Sequence, residues 1–194
     1  MWGQTPGTSR STPNAHEAGY APGVEPLEGW DTRQRQTADG AVESEQRVAL
    51  REPVVAFDRD GAETLGRRYW EEVRRSTGGL VRPRRRGETV QLRLAGRGPV
   101  LLRFGAPSVE TSRHLARCAY PIAGGLLAQR ASGEIRFEQR GLELRSSIRG
   151  FYPALAARTG RPDWTGALYA RVQSRLHVAI SRRYFAALIR EARR

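Results

Sequence analysis

The sequence predicts an α+β domain: an antiparallel β-meander of about six to seven strands packed against a long C-terminal helix. Three observations carry this prediction. Apolar residues recur at every second position through most of residues 80–151, the period at which side chains alternate between the two faces of a strand. From Leu168 to Leu188 they recur at every fourth position, which marks one face of a helix. Short turns rich in Gly, Pro and Ser separate the alternating runs, as in sheets built from hairpins.

The elements follow in order. Residues 1–47 hold clusters of Thr, Pro, Gly, Gln and Ser with isolated aromatics (Trp2, Tyr20, Trp30). No period of 2 or 3.6 runs through them, so they are expected to form a disordered polar tail ahead of a single domain over 48–194. Val48 to Phe57 is a short β-like run broken by Pro53, which restricts it to an edge or a strand start. Asp60, with Glu63 three residues on, has the pattern of a helix N-cap. Leu65, Tyr69 and Val73 follow at four-residue spacing beside Trp70, and Gly78-Gly79 closes the segment, which predicts a helix over 61–77.

The period then becomes 2. Val90, Leu92 and Leu94 alternate with Thr89, Gln91 and Arg93, and turn chemistry at 95–99 leads to Val100, Leu102 and Phe104. His114, Ala116, Cys118 and Tyr120 alternate with Arg113, Leu115, Arg117 and Ala119. An apolar stretch from Ile122 to Ala128 surrounds Gly124-Gly125. Ile135 and Phe137, then Leu142, Leu144 and Ile148, complete the alternation. Beyond a Pro/Gly-containing connection, Leu168, Val172, Leu176, Ile180, Tyr184 and Leu188 predict an amphipathic helix over 165–192. Its apolar stripe needs a partner, and the meander supplies one.

The chain carries a formal charge of +13, and all 33 of its basic residues are Arg. A GC-rich bacterial genome supplies Arg wherever a surface cation is needed; a surface selected for anions also favours it, because guanidinium forks onto phosphate and carboxylate. The charge is uneven. Residues 1–47 hold four Arg against seven acids, while the rest hold 29 Arg against 13 acids. This contrast suggests a transient, salt-sensitive association of tail with body.

The absence of Lys excludes a Walker-type phosphate loop, Schiff-base chemistry and a pyridoxal-phosphate anchor. The single cysteine, Cys118, excludes an internal disulfide and a cysteine-based zinc site. No dinucleotide fingerprint, nucleophile elbow or His pair at metal-ligand spacing is present. The sequence therefore implies no cofactor, no metal and no assigned catalytic residue. No apolar run reaches the roughly 18–20 residues of a membrane span, and the expected setting is the cytoplasm.

The order strand, helix, antiparallel strands and long C-terminal helix resembles the helix-grip fold of the START and polyketide-cyclase-like superfamily, in topology and over residues 48–193. That resemblance implies a curved sheet gripping the terminal helix around a hydrophobic-ligand pocket. An open sheet with one helix on one face and no cavity has the same element order.

Two sets of residues follow. His114, Cys118, Tyr120, Tyr152, Leu176, His177, Ile180 and Tyr184 are the candidate lining of a pocket between sheet and helix, binding a small hydrophobic molecule without catalysis. The same residues also suit an ordinary core, where Cys is a small hydrophobe and a lone His is a hydrogen-bonded structural group. Arg93, Arg103, Arg113, Arg117, Arg136, Arg145 and Arg149 fall on the phase opposite the apolar one, with Arg82, Arg84, Arg85 and Arg86 at the first strand of the meander. They form a candidate anion-binding face for RNA, an acidic protein or a membrane surface. Glu134, Glu138 and Glu143 share that phase, as does Phe151 in this reading.

Overall fold

The computed structural model describes residues 29–154 and 163–193, with side chains from 177 onward in the second segment. Among these residues lie β1 (Asp31–Gln36), β2 (Val42–Ala49), α1 (Arg59–Ser76), β3 (Val81–Arg86), β4 (Thr89–Leu94) and β5 (Val100–Phe104). Then come β6 (Ser108–Ser112), β7 (Leu115–Gly124), β8 (Glu134–Arg140), β9 (Glu143–Phe151) and α2 (Asp163–Ala192). The strands form one antiparallel sheet in the order β1-β2-β9-β8-β7-β5-β4-β3, with β6 also on β7. The α+β class and the C-terminal helix agree with the sequence reading. The strand number is larger, because β1, β2 and β6 join the meander.

The first correction concerns the N-terminal boundary. Residues 31–47, assigned above to a disordered tail, form a hairpin that pairs through β2 with β9. Its turn is closed by Thr37 N–H donating to Ala41 O at 2.8 Å and Gly40 N–H donating to Thr37 O at 2.9 Å, with Gly40 at φ 86°. The hairpin hides from a hydrophobic-period search because two of its core-facing residues are polar: Ser44 and Gln46 are both buried. Gln46 donates to Ser44 Oγ at 2.6 Å and accepts from Ser181 Oγ of α2 at 3.3 Å. Trp30, just before β1, meets the Phe185 ring of α2 edge-on at 5.8 Å. Residues 1–28 lie outside the described residues.

The run 48–57 is likewise not a strand of its own. β2 ends at Ala49, and the following segment is stapled to β8 by the buried Gln139 side chain. Its Oε1 accepts from Val54 N–H and Val55 N–H at 2.9 and 3.0 Å. α1 begins two residues earlier than the 61–77 prediction. Its N-cap is Asp58 rather than Asp60, with Oδ1 accepting from Gly61 N–H at 2.8 Å. Gly79 N–H donating to Arg74 O at 2.8 Å ends the helix as expected.

β5 and β6 lie end to end along the same side of β7, β6 on its first half and β5 on its last residues. Gly105 makes the kink between them, and a Cβ there would fall 2.9 Å from Pro121 Cγ. Both helices pack on one face of the sheet, α1 against β3, β6, β7 and β8, and α2 against α1 and β2. Between them lies an aromatic core of Tyr69, Trp70, Phe104, Tyr120, Phe137, Tyr184 and Phe185. Ring centroids in it stand 4.4 Å (Tyr69–Phe137) to 6.4 Å (Tyr120–Phe137) apart, the range of favourable aromatic pairs. Gly66 lets α1 approach β7 closely, since a Cβ there would lie 2.7 Å from the Tyr120 hydroxyl oxygen.

Candidate anion-binding face

The residues proposed to line a pocket separate in the structure. Cys118, Tyr120, Ile180 and Tyr184 are buried in the aromatic core. His177 is half-buried at the edge of this core, where the Tyr69 hydroxyl and His177 Nδ1 share a hydrogen bond of 3.1 Å. Burial pulls the His177 imidazole down to about 4 and pushes the Cys118 thiol up to about 11. At neutral pH both are uncharged, so neither is poised as an ion-forming acid, base or nucleophile.

His114 does not face the core. It sits exposed in the turn before β7, edge-on to Phe57 at 6.3 Å; the alternation that placed it inside begins only at Leu115. Tyr152 also lies elsewhere. Its hydroxyl donates to Asp39 of the β1–β2 turn, and the Arg130 guanidinium covers its ring at 3.5 Å. The Leu176 side chain lies outside the described residues.

The arginine set resolves more sharply. The register places Asp31, Arg33 and Arg35 of β1 across from Arg47, Glu45 and Glu43 of β2. Arg145 and Arg149 of β9 lie opposite Glu138 and Glu134 of β8, and Glu138 also faces Arg117 of β7. All are on the face turned away from the helices, opposite in phase to Ile135, Phe137 and Leu144 in the core. The result is a checkerboard of ion pairs. Arg47 reaches Asp31 at 2.6 Å, Arg35 reaches Glu43 at 2.7 Å and Arg149 reaches Glu45 at 3.4 Å. Arg145 bonds Glu143, Arg136 bonds Glu134, and Arg117 bonds Glu110.

Glu138 is the centre of this half. It is only 3% exposed and accepts from Arg117 Nε at 2.7 Å and from Arg140 Nε at 3.0 Å. Burial pushes its carboxyl up, but the two guanidinium hydrogen bonds outweigh burial and hold it below the usual range. Arg117, Arg136, Arg145 and Arg149 are therefore spoken for by carboxylates. Arg113 is displaced in another way: it lies in the exposed β6–β7 turn, off the sheet face. Phe151, placed on the wet phase by sequence, is buried in the core.

The same face continues onto β5, β4 and β3, and there the acids stop. Arg82 stands directly opposite Arg93, Arg84 opposite Gln91, and Gln91 opposite Arg103. With Arg86 these make five arginines on the phase opposite the buried Val90, Leu92 and Phe104. No carboxylate among the described residues pairs with any of them. Arg82 Nε donates to Gly79 O at 3.0 Å, while Arg93 donates to Gln91 Oε1 and Gly98 O, both at 3.1 Å. Like charges directly across a ladder repel, and among the described residues the Arg82/Arg93 pair has only neutral oxygens beside it, no carboxylate.

The sequence reading included Arg93 and Arg103 in the anion set and noted the cluster at 82–86. It had no means of separating them from Arg117, Arg136, Arg145 and Arg149. Composition carried one usable signal: residues 81–104 contain seven Arg and a single acid, Glu88.

Comparisons of the chain with protein-family models, with curated proteins and with solved structures return no match.

Proposed function

We propose that this protein is an interaction module that holds a polyanionic partner on the β3–β5 face. One observation carries the reading: five arginines on one sheet face lack any carboxylate partner among the described residues, and two of them stand directly opposite each other. A partner's phosphate, sulfate or carboxylate groups supply the missing countercharge, and arginine forks suit all three. Binding of this kind gains from the release of counterions and weakens steeply with salt.

Heparin oligosaccharide binding, followed by fluorescence anisotropy across a salt series, tests the reading. The R82Q/R93Q/R103Q variant is expected to lose at least tenfold in affinity at low salt and to show a flatter salt dependence. R33Q/R35Q removes two exposed arginines already paired with Asp31 and Glu43, and is expected to change affinity less than twofold. Equal losses in both variants would remove the case for a defined site.

A second reading has its own observation. Tyr184 Oη, His177 Nε2 and Ser146 Oγ are buried without hydrogen-bond partners, although buried polar atoms ordinarily find one. Together with the helix-grip-like order of elements, this favours a small, largely hydrophobic molecule with a polar group held between sheet and α2, without catalysis. Native mass spectrometry of the purified protein, followed by solvent extraction, checks it. A single mass equal to that of the bare chain rejects it.

A further inference from the structure

We propose that the polyanion on the β3–β5 face is a lipid bilayer rich in anionic headgroups, entered by a rim of leucines at the ends of these strands. This rests on the anion-binding reading above and adds the class of partner. Among the described residues, four large hydrophobic side chains are well exposed: Leu80 at 59%, Leu94 at 36%, Leu126 at 60% and Leu142 at 52%. Three of the four lie on one edge.

Backbone hydrogen bonds put these three in a row. Ala95 N–H donates to Leu80 O at 2.7 Å, Leu94 N–H to Pro99 O at 3.2 Å, and Leu126 N–H to Val100 O at 3.1 Å. At about 4.8 Å per strand, the row from Leu80 to Leu126 covers roughly 15 Å. Arg97 sits exposed in the β4–β5 turn within the row, and the opposed pair Arg82 and Arg93 lies a residue or two behind it. Leu94 shares the phase of Val90 and Leu92, so the row caps the strand ends rather than lying on the arginine face. Scattered exposed leucines need no explanation; leucines aligned across the strand ends beside uncompensated arginines do. An interfacial surface has this composition, with apolar side chains entering the acyl boundary and cations on the phosphate layer.

A nucleic acid fits less well. No Phe, Tyr or Trp is among the strongly exposed large hydrophobics of the described residues, so a stacking platform is missing, and a phosphate backbone gives the leucines nothing to bury against. No helix of the described residues is long and apolar enough to cross a membrane, so docking is proposed here through the sheet rim.

Sedimentation with vesicles tests the inference. The full chain is mixed with phosphatidylcholine vesicles, with vesicles containing about 30% phosphatidylserine, a fraction giving a strongly anionic surface, and separately with heparin and duplex RNA. The parent is expected to bind the phosphatidylserine vesicles and not the neutral ones. L80S/L94S/L126S is expected to lose at least tenfold in vesicle affinity with less than twofold change toward heparin, while L142S matches the parent. Unchanged heparin affinity also reports that the triple variant is folded.

A second readout uses L126C carrying a polarity-sensitive dye, the native Cys118 being buried. Its emission is expected to shift to the blue on vesicles. Vesicle binding unaffected by the leucine variant, or dye emission unchanged in bound protein, overturns the membrane inference. So does a parent that binds heparin or RNA but not vesicles, and that result leaves the anion-binding reading intact. A parent that binds neither overturns both.

Discussion

The two halves of the outer sheet face use the same residue, arginine, to opposite ends. On β1, β2, β9, β8 and β7 each arginine sits beside a carboxylate, on the facing strand or two residues away on its own, and Glu138 serves Arg117 and Arg140 together. On β3, β4 and β5 the arginines face Thr, Gln or one another. The first arrangement contributes to folding. The second has no carboxylate partner among the described residues, and it is there that we propose an external anion binds. Arginine content alone therefore says little; what the strand opposite carries decides whether a cation is structural or available.

The contrast is sharpest at Glu138. Replacing it with alanine leaves Arg117 largely enclosed with one of its two carboxylate partners gone, and is expected to cost about 2–4 kcal/mol of stability, read as a lowered urea midpoint at unchanged slope. R84Q on β3 removes an exposed cation with no carboxylate partner and is expected to stay within about 0.5 kcal/mol of the parent. Equal costs would dissolve the distinction between the halves.

Acid probes the same difference through protonation. The Glu138 carboxyl is lowered in the folded state, so its contribution is present above pH 4.5, the ordinary carboxylate value, and is lost as pH falls through the folded value. His177 acts in a separate, higher window. Its folded value of about 4 lies below the ordinary 6.5, so the unfolded chain takes up a proton first. Stability should fall from about pH 6.5 down to pH 4, by up to roughly 3 kcal/mol. H177Q should flatten that upper window and leave the lower one, which E138Q should flatten instead. Thermal melts across pH 3–8 separate the two.

The smallest effect is expected on β3 and β4. R82Q/R93Q removes a like-charge pair and should raise stability by a few tenths of a kcal/mol at low salt, a gain that vanishes near 0.5 M NaCl as screening replaces it. Destabilisation at low salt would mean that the pair carries packing or hydrogen bonding that outweighs its repulsion.

How much of this was legible in the sequence follows from where the information lies. The period-2 runs at Val90–Leu94, Val100–Phe104, Ile135–Phe137 and Leu142–Ile148 fall on β4, β5, β8 and β9, because one face of each is apolar. β6 escaped, since Ser108–Ser112 has a single apolar residue, Val109. The β1–β2 hairpin escaped because the polar Ser44 and Gln46 occupy core positions; Asp39-Gly40, a hairpin-turn dipeptide, was the signal that could have found it. The acids that gave residues 1–47 their negative charge include Asp31, Glu43 and Glu45. Of these, Glu45 meets Arg145 and Arg149 of the body, but as part of a strand ladder rather than a transient contact. The division of the arginine face was legible only as the scarcity of acids over 81–104. Which acid faces which arginine depends on register between strands such as β2 and β9, about 100 residues apart in the chain, and no local pattern encodes that.

The central claim is that anions have one address on this sheet. The most direct test is an NMR titration of the full chain with inorganic tripolyphosphate at low salt, following backbone amides. Shifts with a single common dissociation constant are predicted at residues 82–86, 89–93 and 100–103, with the amides of β2, β8 and β9 still. Shifts spread evenly over the whole face, or confined to the β8–β9 half, would contradict it.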